Sequence, residues 1–279
     1  MAKGEIVFKA EDYGFAFIEA QDWFWAATAG FGLAFILSTL LLALDRRRIA
    51  GESVWLKPLK FALSLFIHFL TLALLTGCLS IELRRNSFLT TTAIAACVAA
   101  AFEILYIGFR AARQERSHFN VGTPVARLMY ALMALGAVVL TLAAGILGGY
   151  IFFDPGFAGG AGLRWGGVLG LSLGTLMTLI TAFAMGGALS HHVGQEAAGA
   201  PKMPVTGWSL TVGDRRPAHF VATHMMQILP IAGLIFDHGL PPPLAATLVT
   251  LLAGLSVLLT IWLFRQASQG RPIFRGRHR

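Results

Sequence analysis

Few side chains in this sequence combine reactivity with an apolar setting. Glu103 is the one carboxylate well inside an apolar run, in AAAFEILYIGF. His68, His224 and Gln227 lie within other apolar runs, and His118, His191, His192 and His219 sit at or near run ends. Ionisable groups inside a bilayer are costly and point to function by default. Imidazole and carboxylate together can ligate a metal, supply haem axial ligands or pass protons. Each residue also has an ordinary reading. His68 alone can be a histidine bonded within a bundle, Glu103 can be neutral or reach towards Arg110, and the rim histidines can be interfacial.

The elements that must position these groups follow from composition. Of 279 residues, 56% are hydrophobic and 13% are charged. A soluble domain carries about 25% charged residues. Disorder is excluded by 21 Phe and 6 Trp, and two Cys cannot build a disulfide scaffold or a thiolate cluster. The fold class expected is an all-α, polytopic membrane helix bundle. Seven runs meet the length of about 20 apolar residues that a spanning helix needs. They cover 23–44, 57–80, 87–110, 126–153, 165–190, 218–236 and 241–264. Residues 1–22 mix five acids with Phe8, Tyr13, Phe15, Phe17 and Ile18, which fits a segment lying on a membrane surface rather than a signal peptide. The organisation expected is therefore an interfacial segment over 1–22, a transmembrane domain over 23–264 with a long loop at 193–217, and a basic tail over 265–279.

Orientation follows from the basic residues. Seven spans place 17 of the 22 Lys and Arg on one side, in the first, third and fifth loops and the C-terminus. The positive-inside rule then puts the N-terminus outside and the C-terminus in the cytoplasm, in an inner membrane. No segment is long enough for a folded basic module, so nucleic acid is not an expected partner. The lipid bilayer is, and a small-molecule ligand or a homo-oligomer is left open. Trp23, Trp25, Trp55, Trp165 and Trp262 fall at span ends, as an aromatic belt requires. Gly166, Gly170, Gly174, Thr178, Ala182 and Gly186 repeat every fourth position, and Gly145 and Gly149 do so in the preceding span. This is the spacing of close helix contact.

At about 1.5 Å per residue, His68 lies about 16 Å from the basic side, Glu103 about 10 Å, His224 about 9 Å and Gln227 about 13 Å. The four therefore share one half of the bilayer. Glu103, His118, His192, His219 and His224 could hold a metal if the third, fifth and sixth spans adjoin. His68 facing His224 would be the haem b alternative, and Gln227 would orient a ligand. His219 and His224 are about 140° apart around a helix and cannot easily share one ion. The loop at 193–217 carries Trp208 and Asp214-Arg215-Arg216, and is expected to fold back over the rim.

Two known seven-helix layouts fail on residues. A retinal pigment needs a Lys in the last span, and 241–264 has none. Membrane hydrolases related to alkaline ceramidases pair Ser-xxx-His with a later His-xxx-His. Ser64 and His68 match the first part, but the last span has no His.

The strings WLKPLKFALS, FEILYIGFRAARQERSHFN, HHVG, TGWSLTVGDRRPAHF and HMMQILP resemble a family of uncharacterised bacterial multi-pass inner-membrane proteins. The matching positions are Lys57 to Phe61, Glu103, Ser117 to Asn120, His192 to Gly194, and Gly213 to Pro230. Gln195 to Gly199 and Arg215 depart from the family's pattern. The resemblance implies no activity. It groups Glu103, His118, His192, His219, His224 and Gln227, and leaves His68 outside. Three functions are expected in turn: an intramembrane metal or haem site with a redox or enzymatic role, a small-solute transporter with Glu103 as proton relay, or a membrane sensor or assembly module.

Overall fold

A computed structural model describes residues 19–49 and 51–274. The expected interfacial segment and the end of the basic tail lie largely outside the described residues. Among the described residues, seven helices are long and apolar enough to cross a membrane. They are α1 (Ala20–Leu44), α2 (Leu56–Gly77), α4 (Ser87–Ala112), α5 (Pro124–Phe153), α6 (Ala161–Gly187), α7 (Arg216–Gly239) and α8 (Pro242–Ser268), with a one-turn helix α3 (Ile81–Arg84) between α2 and α4. The described residues also form two short antiparallel ribbons. One pairs β1 (Arg48–Ile49) with β2 (Glu52–Ser53), and the other pairs β3 (His192–Val193) with β4 (Gly213–Asp214).

The helix starts have local causes. Asn86 caps α4 by accepting from the amides of Phe88 and Leu89, and Tyr150 of α5 donates to the same oxygen at 2.7 Å. Thr123 caps α5 ahead of Pro124, a residue suited to the first turn. The N-terminus of α6 borrows its cap from a distant helix, because Asp237 of α7 accepts from the amides of Gly162 and Leu163, each at 2.8 Å. At the same end of the bundle, Asp154 accepts from Ser80 and Gly156, closing the turns after α2 and α5.

Helices α1 and α2 pack together, with α2 also touching α4, α5 and α7, while α6 packs on α5, α7 and α8. Phe24, Phe31, Phe69, Leu72, Leu147, Ile151 and Leu171 fill the centre. Leu33, Leu40, Leu105, Leu251 and Leu255 point outward. A bundle with apolar outer faces suits contact with a lipid bilayer. Several hydroxyls within the spans are satisfied locally: Thr28, Thr71, Thr92, Thr247 and Thr260 each donate to the carbonyl four residues back.

The glycine stripe of α6 is its contact with α7. A methyl group on Gly170 would meet the Met225 carbonyl oxygen at 2.8 Å, one on Gly174 would meet Met226 at 2.7 Å, and one on Gly166 would overlap the Leu229 carbonyl. Thr178 continues the line through a 3.2 Å contact with Thr223. The Pro230 ring packs against Gly170, so the proline is absorbed into this interface. Gly186 does not belong to it, since its nearest such neighbour is the Tyr130 hydroxyl of α5 at 3.8 Å. In α5, Gly145 faces Thr175 of α6 as the spacing requires, but Gly149 faces open space. Gly148 takes its place, where a Cβ would sit 2.9 Å from the Ser172 hydroxyl oxygen. The correction is a small rotation of α5, which a four-residue spacing does not specify.

Candidate functional site

The loop-rich end of the bundle carries both ribbons and the α4–α5 connection. There the first turn of α2 presents Lys57. A cation at a helix N-terminus meets the positive end of the backbone dipole, which is unfavourable. The arrangement around Lys57 offsets this. Its Nζ lies 2.9 Å from Nδ1 of His118, which in turn is 3.2 Å from the Ser117 hydroxyl. The Phe61 ring, one turn along α2, lies beneath both, with Lys57 Nζ 5.7 Å and the His118 ring 5.6 Å from its centroid. An ammonium can only donate, so Nδ1 accepts and the ring proton belongs on Nε2. Burial, then the charge of Lys57, holds the His118 pKa down at about 3.

Glu103 of α4 is only 5% exposed and lies within electrostatic reach of Lys57. Its Oε1 packs against Gly136 of α5, where a Cβ would sit 3.4 Å away. Among the described residues, no donor comes within hydrogen-bonding distance of its carboxylate. The expected reach towards Arg110 is not made. Arg110 pairs with Glu115 at 2.7 Å and lies over the Tyr106 ring.

A second polar cluster forms where β3 meets β4. Asp214 is buried and accepts from the amides of Ser209 and Arg216 and from the Arg216 guanidinium. Burial alone would raise its pKa, but the His192 and Arg216 contacts hold it well below the usual carboxylate range. His192 Nε2 lies 3.7 Å from Asp214 and 3.9 Å from Glu196. The His191 ring contacts His192 at 4.1 Å and Phe119 at 6.1 Å, which links this cluster to the neighbour of His118. Burial, then the charges of Arg216 and His192, lowers the His191 pKa to about 4. The long loop folds back over the end of the bundle. Lys60 donates to the Val205 carbonyl, and the Trp208 ring meets Phe220 at 5.6 Å.

The remaining candidates are engaged elsewhere. His219 Nδ1 lies 2.8 Å from the Thr181 hydroxyl between α6 and α7. His224 Nδ1 lies 2.8 Å from the carbonyl of Phe220 and its ring stacks on Phe220 at 3.9 Å. His68 is buried edge-on to Phe69, with Nε2 unpartnered among the described residues. Gln227 is buried, with no hydrogen bond to its side chain among the described residues. The structure therefore does not gather His118, His192, His219 and His224 around Glu103. Among the described residues, no group of three or more His, Cys, Asp or Glu could hold a metal ion. His224 is likewise tied to its own helix rather than turned to His68 as a haem partner. These residues do not fit the metal or haem site expected from their spacing.

The partnership that sequence reasoning missed is Lys57 with His118. Lys57 counts there only towards orientation and as part of the string WLKPLKFALS. Its place in the first turn of an otherwise apolar span, where the dipole opposes it, is the signal that was available.

No family model, curated protein or solved structure matches this chain.

Proposed function

We propose that this integral membrane protein moves protons between Glu103 and the loop-rich end of the bundle by way of Lys57 and His118, in the service of small-solute transport. The observation that carries the reading is the arrangement of Glu103. It is buried, it has no hydrogen-bond donor among the described residues, and it lies within electrostatic reach of a lysine already bonded to a histidine. A carboxylate placed this way can alternate between protonated and ionised forms at modest cost. In inward transfer, the Lys57 ammonium passes a proton to His118 Nδ1, and the imidazolium releases its Nε2 proton to water. Protonated Glu103 then gives its proton to the neutral Lys57. The basic side is taken as cytoplasmic and the bilayer as an inner membrane, in keeping with the positive-inside distribution.

Proton flux into vesicles holding a pH-sensitive dye, together with the carboxylic C=O stretch in the infrared, tests this. Glu103→Gln should remove one pH-dependent carboxylic band and abolish flux, and Lys57→Met should shift that band and slow flux. Unchanged flux in both variants would overturn the reading in favour of a sensor or assembly module acting through the 193–217 loop.

A further inference from the structure

Beyond α8 the chain reverses at Gly270, whose φ of +72° suits a residue without a side chain. The following residues fold back along the helix, and Gln266 holds them by donating from Nε2 to the Pro272 carbonyl at 2.6 Å. This creates a groove of about 590 Å³ whose lining includes Leu258, Ile261, Trp262, Arg265, Gln266 and Arg271.

The lining is ordered along the helix axis. Leu258, Ile261 and Trp262 form an exposed apolar lower wall, and Arg265 and Arg271 form the upper rim. The distance from Leu258 to Arg265 is about 10 Å along the axis, which matches the passage from acyl chain to headgroup. No acidic residue lines the groove. Among the described residues, neither Arg265 nor Arg271 makes an ion pair. The lining therefore suits an occupant that is apolar below and anionic above.

We propose that this groove binds an anionic phospholipid. The two guanidiniums take the phosphate, and Trp262 and its apolar neighbours take the upper acyl chain. Basic pockets beside membrane helices hold anionic headgroups in this manner, and a guanidinium matches phosphate with paired donors.

The full chain in neutral detergent micelles is titrated with phosphatidylglycerol, and bound lipid is counted by native mass spectrometry. Saturable binding is expected, weakened about thirty-fold in R265Q/R271Q, with phosphatidylcholine bound poorly by both proteins. The proposal is overturned if R265Q/R271Q binds phosphatidylglycerol as the parent does. It also fails if R46Q/R48Q, which removes two cations elsewhere, weakens binding as much. Displacement of the lipid by inorganic phosphate would assign the groove to free phosphate instead.

Discussion

The Nζ of Lys57 stands 2.9 Å from the Nδ1 of His118, joining the first turn of α2 to the loop that follows α4. The bond is asymmetric in its consequences. Removing the histidine leaves a charge without its acceptor, whereas removing the lysine leaves a neutral ring with the Ser117 hydroxyl still beside it. His118→Phe should cost about 2 kcal/mol, and Lys57→Met less than about 1 kcal/mol. In the double variant the two costs should fall short of their sum, as contacting residues do. Thermal unfolding in detergent, run as a double-mutant cycle, measures this. Strict additivity would show that the pair is not coupled.

His118 and His191 set an acid limit on stability. Their pKa values lie at about 3 and about 4, against an ordinary 6.5. Between those values and 6.5 the unfolded chain binds more protons than the folded one, so stability rises with pH across that window. The contribution is complete above about 6.5 and is lost progressively as pH falls towards 3. The melting temperature should therefore drop between pH 7 and pH 4, and His118→Gln with His191→Gln should flatten the slope. An unchanged slope would show that other groups govern it.

The α6–α7 contact leaves no room for side chains at its glycines. A Cβ on Gly233 would overlap the backbone of Gly162, which cannot yield as a flexible side chain would. Gly233→Val should cost about 3 kcal/mol or abolish folding. Gly149→Ala in α5 faces open space and should be neutral, or stabilising by up to about 1 kcal/mol through helix propensity. Expression and melting temperature of the two variants, compared side by side, check the contrast.

The shared cap at the opposite end is testable in the same way. Asp237→Ala leaves the amides of Gly162 and Leu163 without their acceptor and should cost about 1–2 kcal/mol. Hydrogen exchange should quicken in the first turn of α6 and stay unchanged in its last. Uniform quickening would mean that Asp237 supports the bundle as a whole rather than this cap.

The spans were legible because length and apolar content decide them, and each expected run overlaps one long helix. Their ends were less so. The sixth helix in the chain, α6, begins at Ala161 rather than near 165, because its cap comes from Asp237, far along the sequence. The two-residue ribbons and α3 are too short to leave a periodic signal. Candidate residues were found by depth, and depth correctly singled out Glu103 as buried. Depth does not report which way a side chain points around its helix. His118, His192, His219 and His224 were therefore expected to converge, and the structure ties them instead to Lys57, Asp214, Thr181 and the Phe220 carbonyl.

The borrowed cap also sets an order of events during synthesis. The amide of Gly162 emerges 75 residues ahead of the carboxylate that will accept from it. Until α7 is made and turned back, α6 sits with its first turn frayed and its glycine face bare. The two helices must settle as one hairpin, and α6 becomes a finished helix only when its neighbour arrives.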